Sequence, residues 1–206
     1  MRVWLGLPAL AVALLAGGCS QFVAGRPAPG SEPEPGVLAA AQALLPQDQL
    51  RAITGAGEDL TVIPSMDGSF PVDDDALAAV TAPECRFVFA ETATFGTDFI
   101  GFHKTTYQNP PDRSLISQAV ALYPDPAAAR RAFNALEAGM AACAGSSSAP
   151  LVGTWTSGDD WLRTRPGDCG RDYRIKAAAL IEVTFCGVPE SVPEIVVTNI
   201  LGRIPG

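Results

Sequence analysis

One histidine, His103, stands in 206 residues, and that scarcity excludes a good deal of chemistry. Any Ser–His–acid triad would have to use it, and no Gly-x-Ser-x-Gly elbow accompanies it. A single strand histidine is more often structural than catalytic. The paired spacing CxxC, usual for zinc, is missing, as are a phosphate loop and a dinucleotide fingerprint. Lysine and arginine form no cluster, and a formal charge of −8 argues against nucleic acid as a partner. The acid runs Asp73-Asp74-Asp75 and Asp159-Asp160 lack the ligand spacing and glycine of a calcium loop, and read as solvated turns. Glu182 and Glu194 would serve glycoside cleavage only if the fold brought them into one cleft. These absences predict no enzyme, no catalytic residue, no metal and no cofactor.

The N-terminus carries more information. Met1-Arg2 precedes an apolar run from Val3 to Ala16, interrupted by Gly6 and Pro8, which fits an export signal. The run falls short of the roughly 20 apolar residues that span a bilayer. It ends Leu15-Ala16-Gly17-Gly18-Cys19, which resembles a bacterial lipobox. The resemblance implies cleavage before Cys19 and acylation of its thiol, with palmitate among the acyl chains. Cys19 is also the odd one of five cysteines, and the other four make an even disulfide set. Stable anchoring needs at least two acyl chains, which lipoprotein processing supplies. Residues 19–36 then form a Pro/Gly-rich tether that cannot bury a core. At about 3 Å per residue it reaches on the order of 50 Å from the bilayer. The expected division is a signal peptide at 1–18, lipidated Cys19 and tether at 19–36, and one folded domain at 37–206. That places the domain on the extracytoplasmic face of the cell membrane, lipid-anchored.

An exported chain meets an oxidising compartment, so Cys85, Cys143, Cys169 and Cys186 should be paired. Cys169 to Cys186 reads as a β-hairpin with a cysteine at each end, its arms alternating apolar and polar residues. Tyr173 and Ile175 lie on one arm; Ile181, Val183 and Phe185 lie on the other. Four cysteines allow three pairings, and the hairpin favours Cys169–Cys186, leaving Cys85–Cys143. Its register stays open. A two-residue loop at Ala177-Ala178 sets the cysteines opposite each other but splits the apolar residues between faces. A three-residue loop, Ala177 to Ala179, aligns Tyr173 with Val183 but shifts the cysteines, unless a bulge reconciles the two. None of these alanines favours positive φ.

Elsewhere the pattern predicts a short helix ending at Gly55 and strands at Asp59–Ile63, Asp98–Gln108 and Ser114–Tyr123. Asp125 and Pro126 open the strongest helix. Its apolar stripe Ala129, Phe133, Leu136, Met140 and Cys143 steps by four, three, four and three. Thr154 to Arg165 reads as a second hairpin flanked by Trp155 and Trp161. A last helix spans Ser191 to Arg203, with Ser191 and Glu194 as a capping box and a stripe of Val192, Val196, Ile200 and Ile204. The sum is α+β: an antiparallel sheet with helices packed on one face, closed by two disulfides.

Pro83-Glu84-Cys85, Ala119 to Pro124 leading into a helix, Ala141-Ala142-Cys143-Ala144-Gly145, Cys169 through Cys186-Gly187 and the closing amphipathic helix follow one another in a recognisable order. From about Leu44 to Pro205 the chain resembles the PknH-like extracellular sensor domain, a module of a mycobacterial serine/threonine kinase that also occurs in mycobacterial lipoproteins. The resemblance implies an antiparallel sheet with packed helices and a large cleft for an extracellular ligand. It also implies the pairing of first with second and third with fourth cysteine. The chain departs from the kinase in lacking a transmembrane helix and a kinase domain, so it cannot signal through its own chain.

The function expected is a membrane-anchored, non-catalytic sensor-like domain that binds a small molecule, lipid or glycan in a cleft. Tyr107, Trp155, Trp161 and Tyr173, interleaved with Arg163, Arg165 and Arg174, are the candidate ligand contacts. They would suit an apolar ligand bearing an anionic group. The alternative is a protein–protein adaptor that modulates an envelope or membrane partner.

Overall fold

The computed structural model describes residues 39–206. The signal, Cys19 and the tether lie outside the described residues. Seven strands form one antiparallel sheet in the order β1-β2-β3-β7-β6-β5-β4. They are β1 (Thr61–Gly68), β2 (Gly101–Asn109), β3 (Ser114–Leu122), β4 (Thr154–Gly158), β5 (Trp161–Arg165), β6 (Cys169–Lys176) and β7 (Ala179–Cys186). Six α-helices accompany them: α1 (Ala40–Ala43), α2 (Gln47–Thr54), α3 (Asp75–Val80), α4 (Glu91–Phe95), α5 (Pro126–Ala144) and α6 (Ser191–Arg203). The class is α+β, as the patterning predicts. Phe87 lies in a 3₁₀ turn over Pro83–Val88.

The long helices follow their sequence signals. The Asp125 side chain accepts from the Ala128 N–H at 2.7 Å, and Pro126 occupies the first helical position. Ala129, Phe133, Leu136, Met140 and Cys143 are all buried. At the end of α2, Gly55 takes φ +71° and returns its N–H to the Arg51 carbonyl, a conformation that glycine adopts without a Cβ penalty. The start of α6 differs from the expected capping box. Glu190 occupies the N-cap without a side-chain cap bond, because its carboxylate is held by Arg165 instead.

Both disulfides form: Cys85–Cys143 and Cys169–Cys186. The hairpin takes the two-residue loop, with Cys169 opposite Cys186 and Lys176 opposite Ala179. This register puts apolar residues on both faces, and the reason lies in how the helices pack. One face meets α5 through Ala119, Ala121, Tyr173, Ile175, Leu180 and Leu162. The other meets α1, α2 and α6 through Ile116, Val120, Ile181, Val183 and Phe185. The expected single covered face is therefore corrected: helices cover both. Central strands buried on both sides read as near-continuous apolar runs, as Ala119-Val120-Ala121 and Leu180-Ile181 do.

The loop still carries a local cost. Ala177 sits at φ +50°, in the first central position where a type II′ turn favours glycine. A left-handed conformation costs a residue with a Cβ roughly 1–2 kcal/mol. Ala177→Gly is expected to raise stability by about 1 kcal/mol, read as a higher urea midpoint at constant slope. A lowered midpoint would contradict this account of the turn.

Candidate functional site

On the α5 face, composition changes along the strands, and that change makes a cavity. Two successive rows across the sheet, Ala121–Leu180–Ile175 and Ala119–Glu182–Tyr173, run beneath or beside α5. The next row is polar: Thr106, Ser117, Thr184 and Arg171. A helix gains little by covering hydroxyls and a guanidinium, so α5 leaves this end of the face uncovered. The space above it is a cavity of about 600 Å³, within the range of small-molecule sites.

Its far wall comes from segments with little regular structure. β1 pairs with β2 only at Thr61, Val62, Asp67 and Gly68, so Ile63 to Met66 bulge away from the sheet. Pro64 has no N–H for a ladder bond at that point. The chain then runs as a strap over the opening. Val72 donates its N–H to Glu91 Oε2 at 2.9 Å, and Asp74 donates to the Phe89 carbonyl at 2.8 Å. Asp73 accepts from the Thr92 N–H at 2.9 Å. Phe70 and Val72 on this strap are 78% and 62% exposed, with their side chains at the cavity mouth.

Charges on the floor are paired. Lys104 Nζ meets Glu91 Oε1. Arg171 donates to the carbonyls of Val88 at 2.6 Å and Phe87 at 3.4 Å, with Glu182 at 4.0 Å. Burial by itself would lower the Arg171 pKa, yet the carboxylates of Glu182 and Glu91 hold it above the ordinary value. Burial pushes the Tyr173 hydroxyl up, and Glu182 pushes it further. That hydroxyl lies near Arg171 and Thr94 without a hydrogen bond of good geometry. The phenol is neutral and fully buried.

None of the seven candidate contacts read from the sequence lines this cavity. Tyr107 is buried in the core of the opposite face, and Tyr173 is core beside α5. Trp155 packs half-buried against the α5-side core. Trp161, Arg163, Arg165 and Arg174 do come together, but on the α6 face. Arg163 and Arg174 each lie 5.6 Å from the Trp161 ring. Arg165 covers the Phe185 ring at 4.9 Å, over Gly170, where an added Cβ would strike that ring. Asp172, fully buried, accepts from Arg165 at 2.7 Å and faces Arg163 at 3.6 Å. Burial opposes the charge on Arg165, but bonds to Asp172 and Glu190 outweigh it and raise its pKa. Arg174 is lowered, by burial first and by Arg163 next. The cluster is an ion-pair network that fastens β5 and β6 to the start of α6.

The residues around the cavity escaped sequence reasoning because they come from six separated segments. One signal was present: Ser117, Glu182 and Thr184 are polar positions on central strands rich in apolar residues. Glu182 and Glu194 lie on opposite sides of the sheet, so they form no glycosidase pair. His103 lies between Asp67, 3.2 Å from Nε2, and Ser69, 3.5 Å from Nδ1. The Ser69 contact is at the limit of a hydrogen bond, and neither Ser69 nor His103 lines the cavity. The set ties the far end of β1 to β2.

Residues 36–203 match the family model described as the PknH-like extracellular domain. No curated protein matches the chain. Among solved structures, the chain is similar to the extracellular domain of PknH from Mycobacterium tuberculosis, at 14% identity and a TM-score of 0.55. The superposition covers 80% of this chain and 93% of that one, and at this identity it shows a shared fold. The chain belongs to the PknH-like extracellular domain family.

Proposed function

We propose that the protein is a lipid-anchored, extracytoplasmic, sensor-like domain that binds a small ligand in the cavity on the α5 face and performs no catalysis. The observation that carries this is the cavity itself. About 600 Å³ stands over the polar end of a sheet face whose apolar end is fully packed. The family supports an extracellular setting, and Cys19 in its lipobox-like context supports the anchor.

The binding reading is tested by native mass spectrometry of the chain taken from its own host, with and without a blocked cavity. Ser65 is exposed on the cavity wall, so Ser65→Trp fills the space without disturbing the core. The variant is expected to lose at least about tenfold in affinity for whatever the native chain retains, some 1.4 kcal/mol. Equal retention by both would remove the cavity from the function. The anchor is tested separately: Cys19→Ser is expected to release the chain from membranes, and continued membrane association would refute lipidation at Cys19.

A second reading draws on the exposed side chains Phe70, Val72, Leu77 and Val80 along the strap and α3. Apolar groups left in solvent at one edge of a fold suit a protein partner. A partner crosslinked at this edge in intact envelopes, and retained by Ser65→Trp, would favour the adaptor.

A further inference from the structure

Six carboxylates surround the cavity: Asp67, Asp73, Asp74, Asp75, Glu91 and Glu182. Among the described residues lining it, only Lys104 and Arg171 oppose them, a formal excess of four negative charges. Both cations are already engaged, Lys104 with Glu91 and Arg171 with two backbone carbonyls and Glu182. Among the described residues that line the cavity, no guanidinium or ammonium is left to receive an anion. The carboxylates are not equally available either. Asp67 turns to Thr105 and His103, Asp73 to Thr92, and Asp74 caps α3 through the Leu77 N–H. Asp75, in the first turn of α3, is exposed to solvent, whereas Glu182 is not. Its Oε1 accepts from Thr184 and faces Arg171, while its Oε2 has no hydrogen-bond partner among the described residues. It stands on the floor with its side chain only 14% exposed. Above it, Met66, Phe70 and Val72 offer an apolar surface that nothing in the described chain covers.

We propose that the cavity is selective for a small amphiphilic cation. Its apolar body would lie against Met66, Phe70 and Val72, and its ammonium would donate to Glu182. This rests on the cavity being the binding site, as proposed above. It reverses the charge that the arginine-rich sequence segments suggest. Those arginines sit on the other face, where Asp172 and Glu190 meet their charge. Carboxylates in a recess with low-dielectric walls raise the local concentration of cations and repel anions. A charge-assisted hydrogen bond to a largely buried carboxylate then fixes the polar end.

The test uses the full chain and three probes sharing one ten-carbon tail: decylammonium, decyl glucoside and decyl sulfate. Each is titrated calorimetrically below its micelle concentration. Decylammonium is expected to bind about tenfold more tightly than the glucoside, the difference typical of one hydrogen bond to a charged group. Decyl sulfate should be weaker still. Glu182→Gln should remove that advantage, bringing the ammonium level with the glucoside, and Phe70→Ser should weaken both. Raising salt should weaken only the ammonium in the native chain, which tests the charge term even if the Glu182 variant fails to fold. A glucoside or sulfate that binds as tightly, and is displaced by Ser65→Trp, would overturn the cation selectivity and keep the binding site. Binding of all three probes unaffected by Ser65→Trp, or binding of none, would overturn the site as well.

Discussion

Asp172→Asn is expected to destabilise the domain by about 3–5 kcal/mol, the usual penalty for removing one partner of a buried ion pair. The carboxylate is fully buried on the α6 face between Arg165, at 2.7 Å, and Arg163, at 3.6 Å. Asparagine keeps the shape and removes the charge, leaving two guanidinium groups without their buried counter-ion. Against a typical total of 5–15 kcal/mol, that is a large fraction of stability. At about 2–4 °C per kcal/mol for a domain of this size, the melting temperature should fall on the order of 10 °C. Glu190 supplies the control. It pairs with the same Arg165, but its side chain is 71% exposed, so Glu190→Gln should cost no more than about 1 kcal/mol. Urea unfolding of the two variants side by side decides the matter. Equal, small losses would mean that the network is solvated rather than buried.

The Cys85–Cys143 bridge should matter more than Cys169–Cys186. Their sequence separations are 58 and 17 residues. On the chain-entropy account these loops correspond to about 4 and about 3 kcal/mol. The structure widens the gap in function. Cys169–Cys186 closes a hairpin whose eight positions are already paired. Cys85 instead lies in the 3₁₀ turn that supplies Phe87 and Val88, whose carbonyls hold Arg171 at the cavity floor. Replacing Cys85 and Cys143 together with alanine should therefore lower the melting temperature by roughly 10 °C and, if the proposed cavity is the binding site, weaken decylammonium binding with it. Removing the hairpin bridge should leave the cavity's affinity unchanged. Decylammonium affinity measured well below both melting temperatures separates the two. If the hairpin variant lost binding first, the assignment of the cavity wall would be wrong.

The contrast between α5 and the cavity shows what is legible in a sequence. The stripe on α5 is a local pattern with a fixed period, its cap is one residue, and its buried face follows from geometry. The hairpin's two cysteines are similarly local. By contrast, the hairpin's register depends on whether one face or both will be buried. That is a property of α6 arriving from the far end of the chain. The capping box at Ser191 and Glu194 failed for the same reason, since Arg165, from another strand, holds the Glu190 carboxylate at the N-cap. Of the tryptophans interleaved with arginines, Trp161 stacks beside Arg163 and Arg174 next to the ion pairs of one buried aspartate, Asp172, while Trp155 packs on the other face.

The sequence by itself determined the α+β class, the α5 and α6 stripes, both disulfide pairings and the likeness to a sensor domain, because each rests on spacing within one segment or on the order of segments. Only the tertiary structure decided which sheet face each helix covers and where the cavity lies. The cavity exists because α5 covers the apolar rows of one face and stops at the polar one. Its walls then come from β1, α3, α4 and four further strands. No local period encodes that meeting, since it depends on where elements distant in sequence come to rest against each other.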